Sequence, residues 1–160
     1  MQKIARFLLG KEERHRFLSE FEAGNLPAEE WTHAAHLAMA TVYLARYGDQ
    51  VLPHTRRAIR NYLLARSKPV TNYHETLTVF WLAVVSEALG TVDGEPEDEA
   101  VLRMHETFGG DSKLYKSFYS FDAAASSEAR ARWVPPDLRA LPVRFSVQPE
   151  KSVSPDNLLT

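Results

Sequence analysis

Apolar residues recur at three- and four-residue steps along nearly the whole chain, the period of helices with one buried stripe. Ile4, Phe7 and Leu8, followed by Phe17, Leu18 and Phe21, predict one helix or two joined near Gly10, closed by Gly24-Asn25. Pro27 suits the first turn of a second helix, whose stripe runs through His33, His36, Leu37, Ala40, Tyr43, Leu44 and Tyr47 to Gly48. Its buried face therefore begins with histidine. Pro53 starts a third helix with Ile59, Tyr62 and Leu63 inward and Arg56, Arg57 and Arg60 outward, ending before Pro69.

From Tyr73 to Leu89 the chain is apolar on almost every side, which predicts a central helix with Thr71 or Asn72 as N-cap and Gly90 as its stop. Its polar residues, His74, Glu75, Thr76 and Thr78, sit in the first turn and a half. After an Asp93-Gly94 turn, a helix is expected over 97–108, broken by Gly109-Gly110. Short helices should follow from Asp111 to Tyr119 and from Ser126 or Ser127 to Trp133, ended by Pro135-Pro136. The expected fold is all-α: an up-and-down, single-domain bundle of five to seven helices over 1–142, with an extended or mobile tail over 143–160.

Composition agrees with one domain. In 160 residues, 44% are hydrophobic, enough to bury roughly two-thirds of the unfolded surface in a single core. A net charge of −2 supplies no global basic field for nucleic acid or an anionic membrane. The most apolar run, Val79 to Val85, is far shorter than the ~20 residues of a membrane span, so neither nucleic acid nor membrane is the expected partner. The absence of cysteine removes disulfides, thiolate ligands and a Cys nucleophile, and suits a cytoplasmic protein. A homo-oligomer is compatible with all of this.

Helices joined by short loops lie antiparallel, so the helices opened by His33 and by Tyr73 should start at the same end. The helix of His105 should finish there, and His54 should lie at the opposite pole. His33 and His36, three residues apart, face the same way, and His74 with Glu75 would approach from a parallel helix. Imidazole and carboxylate donors suit one divalent ion, Zn²⁺, Fe²⁺ or Mn²⁺, with His33, His36 and His74 as the metal ligands. His74 and Glu75 are the candidate catalytic groups, and Trp31, Tyr73 and His105 the candidate ligand-binding ones. His74-Glu75-Thr76-Leu77-Thr78 has Thr where a His-Glu-x-x-His zinc helix needs its second His, and no His-Asp doublet occurs.

A metal-free reading stands beside this one. Helix N-termini favour anions, so the same pole would hold a small anionic ligand with His33 or His74 as neutral base. Glu75 also lies three residues after Asn72, the spacing of a capping box. The leading functional expectation is a small-molecule enzyme or ligand-binding protein with a His-rich pocket. The competing one is a non-catalytic interaction protein with structural histidines.

Leu26-Pro27, Trp31-Thr32-His33, Ala35-His36-Leu37, Tyr73-His74-Glu75-Thr76-Leu77-Thr78, Ser127 to Trp133, Pro136-Asp137-Leu138 and Leu141-Pro142 together resemble a family of small bacterial helical proteins. The resemblance spans about residues 17–142 and departs at Ala140, where the family pattern has proline. It implies a helical fold and no particular reaction.

Overall fold

The structure, a computed structural model, describes residues 4–149. Five long helices, α1 (Lys11–Glu22), α2 (His33–Tyr47), α3 (Val51–Ala65), α4 (Glu75–Leu89) and α5 (Glu97–Phe108), and a short α6 (Ser127–Ala131) form an all-α domain with no strand among the described residues. None of these helices is long and apolar enough to cross a membrane.

Helix α2 is the axis, packing against α3, α4 and α5. Trp31 beside Tyr62 at one end (5.8 Å) and Tyr47 stacked on His54 at the other (3.7 Å) make α2 and α3 antiparallel. His33 meets Trp81 (4.6 Å), and Leu44 shares a cleft with Leu89, so α4 runs parallel to α2. The ring of His33 reaches the Phe108 carbonyl at the end of α5, which runs down again.

The apolar circumference of α4 has a packing cause. Val79, Leu82, Ala83 and Val85 enter the main core with Phe17, Phe21, Leu37, Val42 and Leu52. Phe80 and Val84, on another face, pack with Tyr115, Phe118, Tyr119 and Ala123 in a second cluster. Each large side chain so buried contributes about 1.5–3 kcal/mol over leaving it in water, and α4 sends fully buried residues into both clusters.

Several starts differ from the periodic expectation. Pro27 opens only a 3-10 turn, Ala28–Glu30, and α2 begins after Thr32, whose side chain accepts from the Ala35 amide (3.2 Å). A second such turn, Val70–Asn72, displaces the N-cap of α4 from Asn72 to His74. The expected helix 111–119 is reduced to a 3-10 turn, Leu114–Ser117, and α6 stops at Ala131.

Two arginines point inward. Arg14 on α1 is 1% exposed and donates to the Phe7 carbonyl (2.8 Å), Glu97 (2.6 Å) and Asp98 (2.9 Å), tying α1 to the acidic first turn of α5. Arg56, expected on the outer face of α3, is 3% exposed because Glu75 at the start of α4 lies opposite it. Residues 143–149 cross the domain without regular structure, with Phe145 buried in the main core. The remainder of the expected tail, 150–160, lies outside the described residues.

Candidate functional site

A cavity of about 360 Å³ opens between α2, α3 and the start of α4. Helix α2 contributes His33, His36, Met39 and Ala40, and α3 contributes Thr55 and Ile59. The turn before α4 and its first two turns add Asn72, Tyr73, His74, Leu77, Thr78, Trp81 and Leu82. His33, His36 and His74 thus line one space, as do Tyr73 and three apolar positions of α4. None of the lining residues carries a formal side-chain charge apart from histidine.

Each histidine is held differently. With its proton on Nε2, His33 donates to the Phe108 carbonyl (3.1 Å), and that tautomer presents Nδ1 as an acceptor. His36 donates Nδ1–H to the Thr32 carbonyl (2.6 Å) and its other face packs on Trp31 (3.9 Å between ring centres). Its Nε2 has no protein partner among the described residues. Loss of water pushes the His36 imidazolium down to about 4; neighbouring His33 adds to this, while the Thr32 carbonyl opposes it. At neutral pH His36 is an uncharged acceptor.

His74 is spent on structure. Its Nδ1 accepts from the Leu77 amide (3.1 Å), making it the N-cap of α4, and its Nε2–H donates to the Ala123 carbonyl (2.8 Å). Burial depresses its proton affinity, and Arg130 adds to this against the pull of the Ala123 carbonyl. With both nitrogens engaged, His74 has no lone pair for a metal in this arrangement. Among the described residues no group of three or more His, Asp or Glu side chains is arranged to hold a metal ion.

Glu75 does not close a capping box with Asn72. Its carboxylate is buried and receives Arg56 Nε at 3.0 Å on both oxygens, Arg56 Nη2, and the Tyr73 hydroxyl. Arg60 lies over the Tyr73 ring (4.7 Å), and burial together with Glu75 pushes the Tyr73 phenol up beyond its ordinary range. Tyr73 therefore presents its ring, not a free hydroxyl, to the cavity.

Trp31 stacks between Phe21 (4.0 Å) and His36, outside the cavity lining. His105 turns away as well: its ring faces Phe7 (6.4 Å), and its Nδ1 is buried without a partner. His54 stacks on Tyr47 at the far end of α2. Thr55 and Trp81 join the lining without having stood among the candidate residues, and Thr78, marked only as a first-turn polar residue, joins them. The spacing His74, Leu77, Thr78, Trp81 is the i, i+3, i+4, i+7 stripe that continues the site along α4, a signal that was present.

Comparison with protein-family models, curated proteins and solved structures finds no match.

Proposed function

We propose that this chain acts on or binds a small molecule in the cavity between α2, α3 and α4, with His33 and His36 as its principal polar contacts. The observation that carries this reading is the condition of His36. One nitrogen is fixed by the Thr32 carbonyl, and the other, on the wall of a largely apolar cavity, has no protein partner among the described residues. A volume of about 360 Å³ falls within the range of ordinary ligand pockets, and a few polar groups on apolar walls is their usual chemistry. Structural histidines would instead have both nitrogens occupied, as His74 does.

A divalent metal, zinc, iron or manganese, would be held here through His33 Nδ1 and His36 Nε2, with the remaining donors coming from ligand or water. His74 would serve in either case by holding the wall of the cavity in place. The neutral His36 acts as a hydrogen-bond acceptor, and as a proton acceptor only for a strongly acidified group.

The test is a fragment screen by protein NMR, reading the imidazole signals of wild type, His36→Leu and His54→Ala. Fragments that shift His36 in wild type should also bind His54→Ala, and should lose at least tenfold in affinity for a folded His36→Leu. Fragments that never perturb His33 or His36 would favour the interaction protein with structural histidines.

A further inference from the structure

The hydrogen-bonding protons around the cavity are unevenly spent. His33 gives its Nε2–H to Phe108 and His36 its Nδ1–H to Thr32. The Thr55 hydroxyl donates to the Val51 carbonyl (2.8 Å) and the Thr78 hydroxyl to the His74 carbonyl (2.7 Å). What these four side chains retain toward a guest is lone pairs, while the Asn72 carboxamide and the Trp81 indole N–H, which make no hydrogen bond among the described residues, are the donors left on the lining.

Each helix N-terminus is capped at one orphan amide, Ala35 in α2 and Leu77 in α4, while the amides of His33, Ala34, Glu75 and Thr76 have no partner among the described residues. The Thr32 hydroxyl and carbonyl receive the Ala35 and His36 amides, and His74 receives the Leu77 and Thr78 amides on its ring and carbonyl. An anion arriving here would meet no Lys or Arg on the lining. An ammonium would meet acceptors and aromatic faces but no Asp or Glu on the lining. Either ion would be desolvated without a counter-charge, the expensive case.

We infer that the cavity takes a neutral, mostly apolar, ring-sized molecule bearing a hydroxyl or N–H donor, which is received by His36 Nε2 and His33 Nδ1. This rests on the reading that the cavity is a small-molecule site. Met39, Ile59, Leu77 and Leu82 supply the apolar contact, and Trp81 and Tyr73 supply faces for a planar ring. The ligand class is a phenol, an alcohol on an apolar body, or a heteroaromatic N–H compound. It is not a carboxylate, a phosphate or a protonated amine.

The experiment uses six probes of matched size at pH 7.5: phenol and anisole, indole and 1-methylindole, benzoate and benzylammonium. Dissociation constants are read from the imidazole and Trp81 indole signals of the full chain. Phenol and indole should bind at least tenfold more tightly than their methylated counterparts, because methylation leaves the acceptors desolvated and unpaired. Benzoate and benzylammonium should bind more weakly than either. In His36→Leu, with folding verified by thermal unfolding, the preference for phenol over anisole should fall well below tenfold, and in the double variant His33→Leu, His36→Leu the two should bind alike.

Equal binding of phenol and anisole, and of indole and 1-methylindole, to wild type would overturn the donor requirement while leaving the pocket as a small-molecule site. Preference for benzoate or benzylammonium would overturn the neutral class. Failure of all six to move any cavity signal would remove the small-molecule reading itself.

Discussion

His36 and Glu75 are adjacent to the same cavity and resolve opposite problems. His36 is kept neutral: its imidazolium is pushed from an ordinary 6.5 to about 4, chiefly by desolvation. Below pH 6.5 the unfolded chain takes up a proton that the folded chain refuses until about pH 4, so stability present above 6.5 is lost as pH falls through that window. His74 adds to the loss with the same sign. Thermal midpoints of wild type should therefore fall more steeply from pH 6.5 to 4 than those of His36→Gln, while the carboxylates common to both cancel in the comparison. Parallel curves would mean that His36 is solvated. Glu75 is paired instead, with Arg56 Nε on both oxygens. Removing one partner of a buried pair costs about 3–5 kcal/mol, so Glu75→Gln should lose about 3 kcal/mol in urea unfolding. The double variant Glu75→Leu, Arg56→Met should lose less than the sum of the single ones. A change below ~1 kcal/mol for Glu75→Gln would return the residue to a capping or purely functional role.

Between elements, short-range geometry decides which surfaces can meet. α1 and α3 come together at their ends through Gly24, which has φ of +78° and a position where a Cβ would lie 2.3 Å from the Ala65 Cβ. Ala65 is the last residue of α3, so the contact is backbone-fixed at both partners and neither can swing aside. Gly24→Ala combines a left-handed backbone, about 1–2 kcal/mol, with overpacking, about 1–3 kcal/mol. A loss of about 3 kcal/mol is expected by urea unfolding. Gly90, at the end of α4, is the control: its φ is −67° and a Cβ would meet only ordinary contacts at 3.5 Å. Gly90→Ala should be neutral or slightly stabilising. Equal effects at the two sites would show that the α1–α3 junction yields to the added methyl group.

At the scale of the molecule, the helix order, the centrality of α4 and the pole shared by His33, His36 and His74 were all legible, because each follows from period and loop length. The burial of Arg14 and Arg56 was not. A helical stripe assigns arginine outward, and the partners that reverse this, Glu97 for one and Glu75 for the other, are brought in by packing. The occupation of His74 depends on the Ala123 carbonyl, 49 residues away, and was equally invisible. The segment after Pro142 poses the same question of long-range partners, since Pro, Ser and charge without periodicity predict an extended stretch packing on the domain but not where it docks. The structure sets Phe145 in the main core at 6% exposure, with the Ser146 amide on the Asp49 carbonyl (3.1 Å) and the Gln148 carbonyl accepting from Arg56 Nη1 (2.9 Å). Those anchors reach the α2–α3 connection and the Arg56–Glu75 pair together, so residues 143–149 brace the side of the bundle behind the cavity. Phe145→Ala should lower unfolding free energy by about 3 kcal/mol, and hydrogen exchange at the Ser146 amide should accelerate along with it. A surface tail would give less than ~0.5 kcal/mol. That smaller value, with Ser146 exchanging fast already in wild type, would detach this segment from the folded domain and leave Arg56 to be held by Glu75 without the strap.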